Sequence, residues 1–199
     1  LPTHTKEFPM MLLKPTGCSL LAALIFASIP AQADWLLEPE INSGSLKLSN
    51  NFHFSPGDSH ENSLNAYALG VQAGFEFANH VFVKAGLTDG ETEHLLGWQD
   101  RIKFYDQHIS TGVQWPVSKR VSLLGSLGIS HWDYYSKDQD SFNKNQPDKH
   151  YSGSGVQYRG GVNFRFNSLL SMNLYAGSKD WGDDVRYAQY GVSLCFRFE

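Results

Sequence analysis

Apolar and polar residues alternate along most of this chain, and the alternation is cleanest at its end. Tyr190, Val192, Leu194, Phe196 and Phe198 fall at every second position, with Gln189, Gly191, Ser193, Cys195 and Arg197 between them. A strand sends successive side chains to opposite faces, so one face here is oily and the other small or polar. The same period predicts strands over about 45–54, 64–77, 81–88, 101–115, 121–131, 156–166 and 169–177, with the last at about 185–198.

The individual segments differ in clarity. In the first, Leu46, Leu48, Phe52 and Phe54 share one face and Lys47, Ser49, Asn51 and His53 the other, with Asn50 breaking the oily side. In the second, Tyr67, Leu69, Val71, Ala73, Phe75 and Phe77 oppose Ala66, Ala68, Gly70, Gln72, Gly74 and Glu76. The sixth sets Val156, Tyr158, Val162, Phe164 and Phe166 against Gln157, Arg159, Gly161, Asn163 and Arg165. The fourth is irregular. Ile109, Thr111, Val113 and Trp115 form its oily face, yet Ile102 and Phe104 have the opposite parity. A bulge near Asp106, or a strand end that projects beyond a membrane, would each account for this.

The connections alternate in length. Links after the second, fourth and sixth segments are short turns, whereas 55–63, 89–100, 134–154 and 178–184 are longer and hydrophilic. Short turns on one side and long loops on the other characterise outer-membrane barrels.

The front of the chain adds an export signal. Lys14, an apolar run over 18–29 and the small-residue site Ala31-Gln32-Ala33 match the three parts of a secretory leader. The apolar run is shorter than the roughly 20 residues of a spanning helix. We therefore expect residues 1–33 to comprise upstream sequence and a cleaved signal peptide, and residues 34–199 a single barrel domain. Cys18 would leave with the leader, so Cys195 has no intramolecular partner and disulfides do not stabilise the exported domain.

These features define an all-β fold, an eight-stranded antiparallel up-and-down transmembrane β-barrel. A soluble β-sandwich or lipocalin-like barrel also alternates, but its polar face meets water. Here that face is rich in glycine, alanine and serine, which suits a tight lumen. The formal net charge of −4 excludes the basic footprint of a nucleic-acid binder.

The chain resembles the small outer-membrane barrels of the OmpA transmembrane domain, OmpX and Ail type. The resemblance rests on the leader, the strand number, the loop alternation and the ending from Tyr190 to Phe198, followed here by Glu199. That ending is similar to the signal read by the barrel-assembly machinery. The resemblance implies a bacterial outer-membrane location and a monomer. It implies partners in membrane lipid and lipopolysaccharide, and host or surface ligands at the loops. It also implies a role in envelope integrity or adhesion, with no enzymatic activity, cofactor or nucleic acid.

An eight-stranded lumen is just wide enough to be filled by side chains. Strand parity places Lys47, Glu76, Lys84, Asp106, Arg159, Arg165 and Arg197 inside. Buried charges must be paired to be tolerated, and both signs are present, so a polar plug is expected rather than a narrow channel. The longest loop offers a surface contact site in Tyr134, Tyr135, Lys137, Phe142, Lys144, Lys149 and Tyr151. The loop carboxylates lack a rigid frame for a divalent cation, and the scattered histidines show no metal-ligand spacing. The runner-up function is a lipid A acyl hydrolase, in which His108 and Ser110 have the His-x-Ser spacing of the 3-O-deacylases. Their parity directs both into the lumen, away from lipid chains.

Overall fold

The computed structural model describes residues 33–47, 63–92, 101–137, 149–182 and 185–198. Eight strands run in sequence: β1 (Asp34–Lys47), β2 (Ser63–Glu76), β3 (Val81–Thr92), β4 (Arg101–Pro116), β5 (Val121–Lys137), β6 (Lys149–Arg165), β7 (Leu170–Asp180) and β8 (Arg186–Phe198). Each pairs antiparallel with its neighbour, and β8 pairs with β1 to close the barrel. Closure removes both sheet edges, which lipid could not satisfy.

The short turns are tied by side-chain oxygens. Asn79 Oδ1 accepts from Val81 N at 3.3 Å, Ser118 Oγ from Val121 N at 3.1 Å, and Asn167 Oδ1 from Leu170 N at 2.7 Å. His80 adopts a positive φ of 63° to close the first of them. The β1–β8 ladder is interrupted at Glu38 and Pro39, between the pairs Leu37–Phe196 and Glu40–Ser193. Pro39 has no N–H to offer β8.

The middle of the barrel is oily outside and polar inside. Leu69 is 62 % exposed and Leu127 59 %, whereas Lys84, Glu38 and Glu40 are buried. Phe75 is the outward exception: it is buried, with its ring 4.1 Å from that of Trp35. From Val121 to Ile129 the outward residues of β5 span roughly 26 Å at ~3.3 Å per residue. At a tilt of ~40° that gives a band roughly 20 Å tall, near the ~25 Å of membrane barrels. Leu127→Arg, within this band, should destabilise the barrel by up to about 2–4 kcal/mol, and His131→Arg, above it, by about 0–1 kcal/mol. Urea unfolding in lipid vesicles measures both; equal costs would misplace the band.

Several strands outrun the band. β5 and β6 have 17 residues each and β4 has 16, whereas a tilted spanning strand needs about 9–11. Above the band the polarity reverses on the same strands. Outward positions become Asp89, Tyr105, Gln107, His131, Asp133 and Ser154, while inward positions become Ile102, Phe104, Trp132, Tyr134 and Tyr187. Outside the membrane the outer wall meets water, so the ordinary rule of apolar inside and polar outside returns.

This reversal corrects several sequence-based expectations. Ile102 and Phe104 are in phase with Asp106 and His108 on the inner wall, with unbroken pairing to β5. The projecting strand end is the cause, not a bulge. Leu46 is buried and Lys47 exposed, so the expected first strand is assigned the wrong faces, and it begins eleven residues earlier, at Asp34 rather than Ser45. Residues 48–54 of that expected strand lie outside the described residues, as does the leader before Ala33. Asp89–Thr92, Trp132–Lys137, Lys149–Gly155 and Ser178–Asp180 extend strands instead of lying in loops or at loop edges.

Candidate functional site: the lumen and its outer cap

The inner wall carries a ladder of paired charges. At the turn end, Arg197 pairs with Glu76 and lies 3.2 Å from Asp34 Oδ2. Next, Lys84 pairs with Glu38, which also accepts from Ser193 Oγ and from Asn173 Nδ2 at 2.7 Å. Arg159 grips Glu40 with both guanidinium ends, at 2.7 and 3.1 Å, and Gln72 Nε2 donates to Glu40 at 2.6 Å. Nearest the loops, Lys179 pairs with Asp106, whose Oδ1 also takes a 2.9 Å bond from His108 Nδ1. Four cations thus oppose four buried carboxylates. Two-pronged Arg–carboxylate pairs and multiply bonded carboxylates are the geometries that offset the cost of burying charge.

Amides knit the ladder together. Gln114 Nε2 donates to Asn163 Oδ1 at 3.0 Å, Asn163 Nδ2 to Asn173 Oδ1 at 2.7 Å, and Asn173 onward to Glu38. The Arg159 guanidinium lies 4.8 Å from the centre of the Tyr175 ring, and Lys84 Nζ 4.6 Å from that of Phe82. A space of about 30 Å³ remains beside Glu38, Lys84 and Arg159, room for a water or two.

Above the ladder sits an apolar cap inside the extended strands. Leu46, Ile102, Phe104, Trp132, Tyr134 and Trp181 pack there with Val185 and Tyr187. The Trp132 and Tyr134 rings stack at 5.2 Å, and Trp132 and Trp181 at 5.6 Å. Trp132 Nε1 donates to the Trp181 carbonyl at 3.0 Å, and Tyr187 Oη donates to Asn42 Oδ1 at 2.7 Å. These bonds satisfy the polar ends of Trp132 and Tyr187. Tyr187 therefore belongs to the cap.

Of the residues assigned to the lumen from sequence, Glu76, Lys84, Asp106, Arg159 and Arg197 come together on the inner wall. Arg165 is half-buried at the turn end of the same wall. Lys47 is a correction: it is exposed on the outer wall, because the strand face reverses above the band. Glu38, Glu40, His108 and Lys179 complete the ladder. Of these, His108 was placed in the lumen only as part of the hydrolase alternative. The others fall outside the sequence-based set, because its first strand begins at 45 and Lys179 lies in the 178–184 connection.

The surface contact set divides. Tyr134 is buried in the cap and is no surface residue. Tyr135 and Tyr151 are exposed. Tyr135 stacks on His150 at 4.5 Å, and His150 Nε2 lies 3.2 Å from Asp133 Oδ1. Lys137 and Lys149 end β5 and begin β6, and Phe142 and Lys144 lie outside the described residues.

His108 and Ser110 are both buried in the lumen. Asp106 orients His108, but the described hydrogen bonds do not join His108 to Ser110, and among the described residues His108 Nε2 has no hydrogen-bond partner. A nucleophile needs its base within hydrogen-bond reach and a route for substrate. Among the described residues no group of three His, Cys, Asp or Glu is placed to hold a metal ion.

A closed antiparallel barrel of eight strands, oily on its outer wall and ion-paired within, is an integral membrane protein of the outer-membrane type. Residues 19–198 match the family model described as outer membrane protein beta-barrel domain, and the chain belongs to that family of the bacterial outer membrane. Three solved structures share its fold. Neisserial surface protein A aligns with a TM-score of 0.64 at 11% identity, over 83% of this chain and 99% of that one. OprG of Pseudomonas aeruginosa gives 0.57 at 14%, over 84% and 97%. The attachment invasion locus protein Ail of Yersinia pestis gives 0.55 at 14%, over 84% and 99%. No curated protein matches the sequence significantly.

Proposed function

We propose that this chain is a non-enzymatic, monomeric surface-display barrel that contributes to envelope integrity or adhesion through its loop-end wall. The leader at 11–33 would direct its export, and the ending at 190–198 its insertion by the assembly machinery. The observation that carries the reading is the reach of β4, β5 and β6 beyond the apolar band. Their extension is filled by a packed aromatic core and braced by the Tyr135–His150 stack. A rigid, water-facing platform of this kind suits presentation, because little ordering entropy is lost when a partner docks. The attachment invasion locus protein has been crystallised with the heparin analogue sucrose octasulfate, which supports the adhesion reading.

The experiment compares cells lacking the protein with cells carrying it or its Tyr135→Ala/His150→Ala variant. Loss of the protein should raise detergent sensitivity or reduce surface adherence. The wild type should restore the lost property and the variant should not. Full rescue by the variant would remove this wall as the working surface.

A further inference from the structure

The lipid-facing wall is not uniformly convex. A groove of about 450 Å³ crosses it over β2, β3, β4 and β5. Its floor is the directly paired Ala73 and Ala85, whose side chains are too short to fill the wall between their larger neighbours. Val71, Leu87, Ile109 and Ile129 form its sides. Its polar margin is Gln107, an exposed amide at the upper edge of the apolar band, paired across β5 with His131.

The groove climbs the wall. Its lower row runs Ala73–Ala85–Ile109–Ile129 through consecutive strand pairings. Measured from the turn ends at Glu76, Val81, Pro116 and Val121, those residues lie three, four, seven and eight positions along their strands. The groove therefore starts in the turn half of the band under β2 and reaches its loop edge under β5. Three strand spacings make it roughly 14 Å across. The upper row, Val71–Leu87–Gln107–His131, turns from apolar to polar in the same direction.

We propose that this groove seats one acyl chain of an outer-leaflet glycolipid, with the carbonyl that links the chain to its sugar held at Gln107. The tail then descends over Ala85 towards Ala73. An apolar hollow within the band must be filled by lipid, since an empty one forfeits dispersion contacts along its whole lining. A diagonal hollow with an amide at its loop-side end orients the occupant, because the Gln107 N–H can donate to an ester or amide oxygen only at that depth. The loop-side end faces the outer leaflet, where glycolipid resides, and this selects the source over a phospholipid. The inference is independent of the surface-display reading.

Native mass spectrometry of the folded chain in detergent tests it, with purified lipid A and dioleoylphosphatidylethanolamine titrated separately. The wild type should retain one lipid A about ten-fold more tightly than the phospholipid. Ala73→Leu/Ala85→Leu fills the floor and should lower lipid A affinity about ten-fold. Gln107→Leu should weaken it a few-fold, the worth of one hydrogen bond. Ala176→Leu, an outward residue on β7 remote from the groove, should leave it unchanged. A heat-modifiable gel shift verifies that each variant is folded. The proposal is overturned by unchanged retention in the filled variant or by equal loss in Ala176→Leu. Phospholipid binding as tight as lipid A overturns it too, as does a chain dimer that dissociates only when the floor is filled. If Ala73→Leu/Ala85→Leu fails to fold, an unchanged affinity in Gln107→Leu overturns the assignment by itself.

Discussion

Lys179→Met should cost about 3–5 kcal/mol of folding stability, because it leaves the wholly buried Asp106 carboxylate without its cation. Neither side chain has any solvent exposure, and the remaining partner of Asp106 Oδ1 is the imidazole of His108. The measurement is urea unfolding of the exported chain in lipid vesicles, followed by tryptophan fluorescence. Adding Asp106→Asn removes both charges and keeps an acceptor for the His108 N–H. The double variant should recover most of the loss, since removing a buried pair entirely is far cheaper than orphaning one member. A single-variant cost below ~1 kcal/mol would mean that water reaches this end of the lumen and screens the charge. The aromatic cap would then not be a seal.

Trp132→Ala should cost a similar amount, about 3–5 kcal/mol, typical of truncating a large buried aromatic. The indole stacks on Tyr134 and Trp181 and donates to the Trp181 carbonyl, so packing and a buried hydrogen bond are lost together. Tyr135→Ala, three positions along and exposed on the outer wall, should cost under ~1 kcal/mol. Equal costs at the two positions would contradict the inward core of the extended strands. The wild type should show no sustained unitary conductance in planar bilayers, because ion pairs and cap fill the bore in series. Regular current steps would contradict a closed lumen.

These two expectations concern the parts of the molecule least visible in the sequence. The alternation in β8 and over 156–166 of β6 is clean because those outward faces meet lipid. Glu38 and Glu40 were hidden for a different reason. They stand two apart in a segment interrupted by Pro39, and charged residues at alternate positions beside a proline resemble a surface connection more than a membrane strand. Lys179 lies next to Asp180 and shortly before Gly182 and two further acidic residues, so local composition says loop. Only its pairing with Asp106, 73 residues away, draws it inside. Leu46, Phe104 and Tyr187 carried a correct signal under a rule that changes at the membrane edge. Alternation reports which face differs from the other, not which one points inward.

The sequence by itself determined the architecture: period-two patterning, connections of alternating length and an oily final strand permit a closed barrel of eight strands and little else. That follows because lipid leaves no unpaired backbone and water sets no inner face within the band. Tertiary structure alone decided where the solvent changes along each strand, and hence which charges meet across the bore and which aromatics close its mouth. Those partners come from strands far apart in the chain, and closing the cylinder is what brings them within bonding distance.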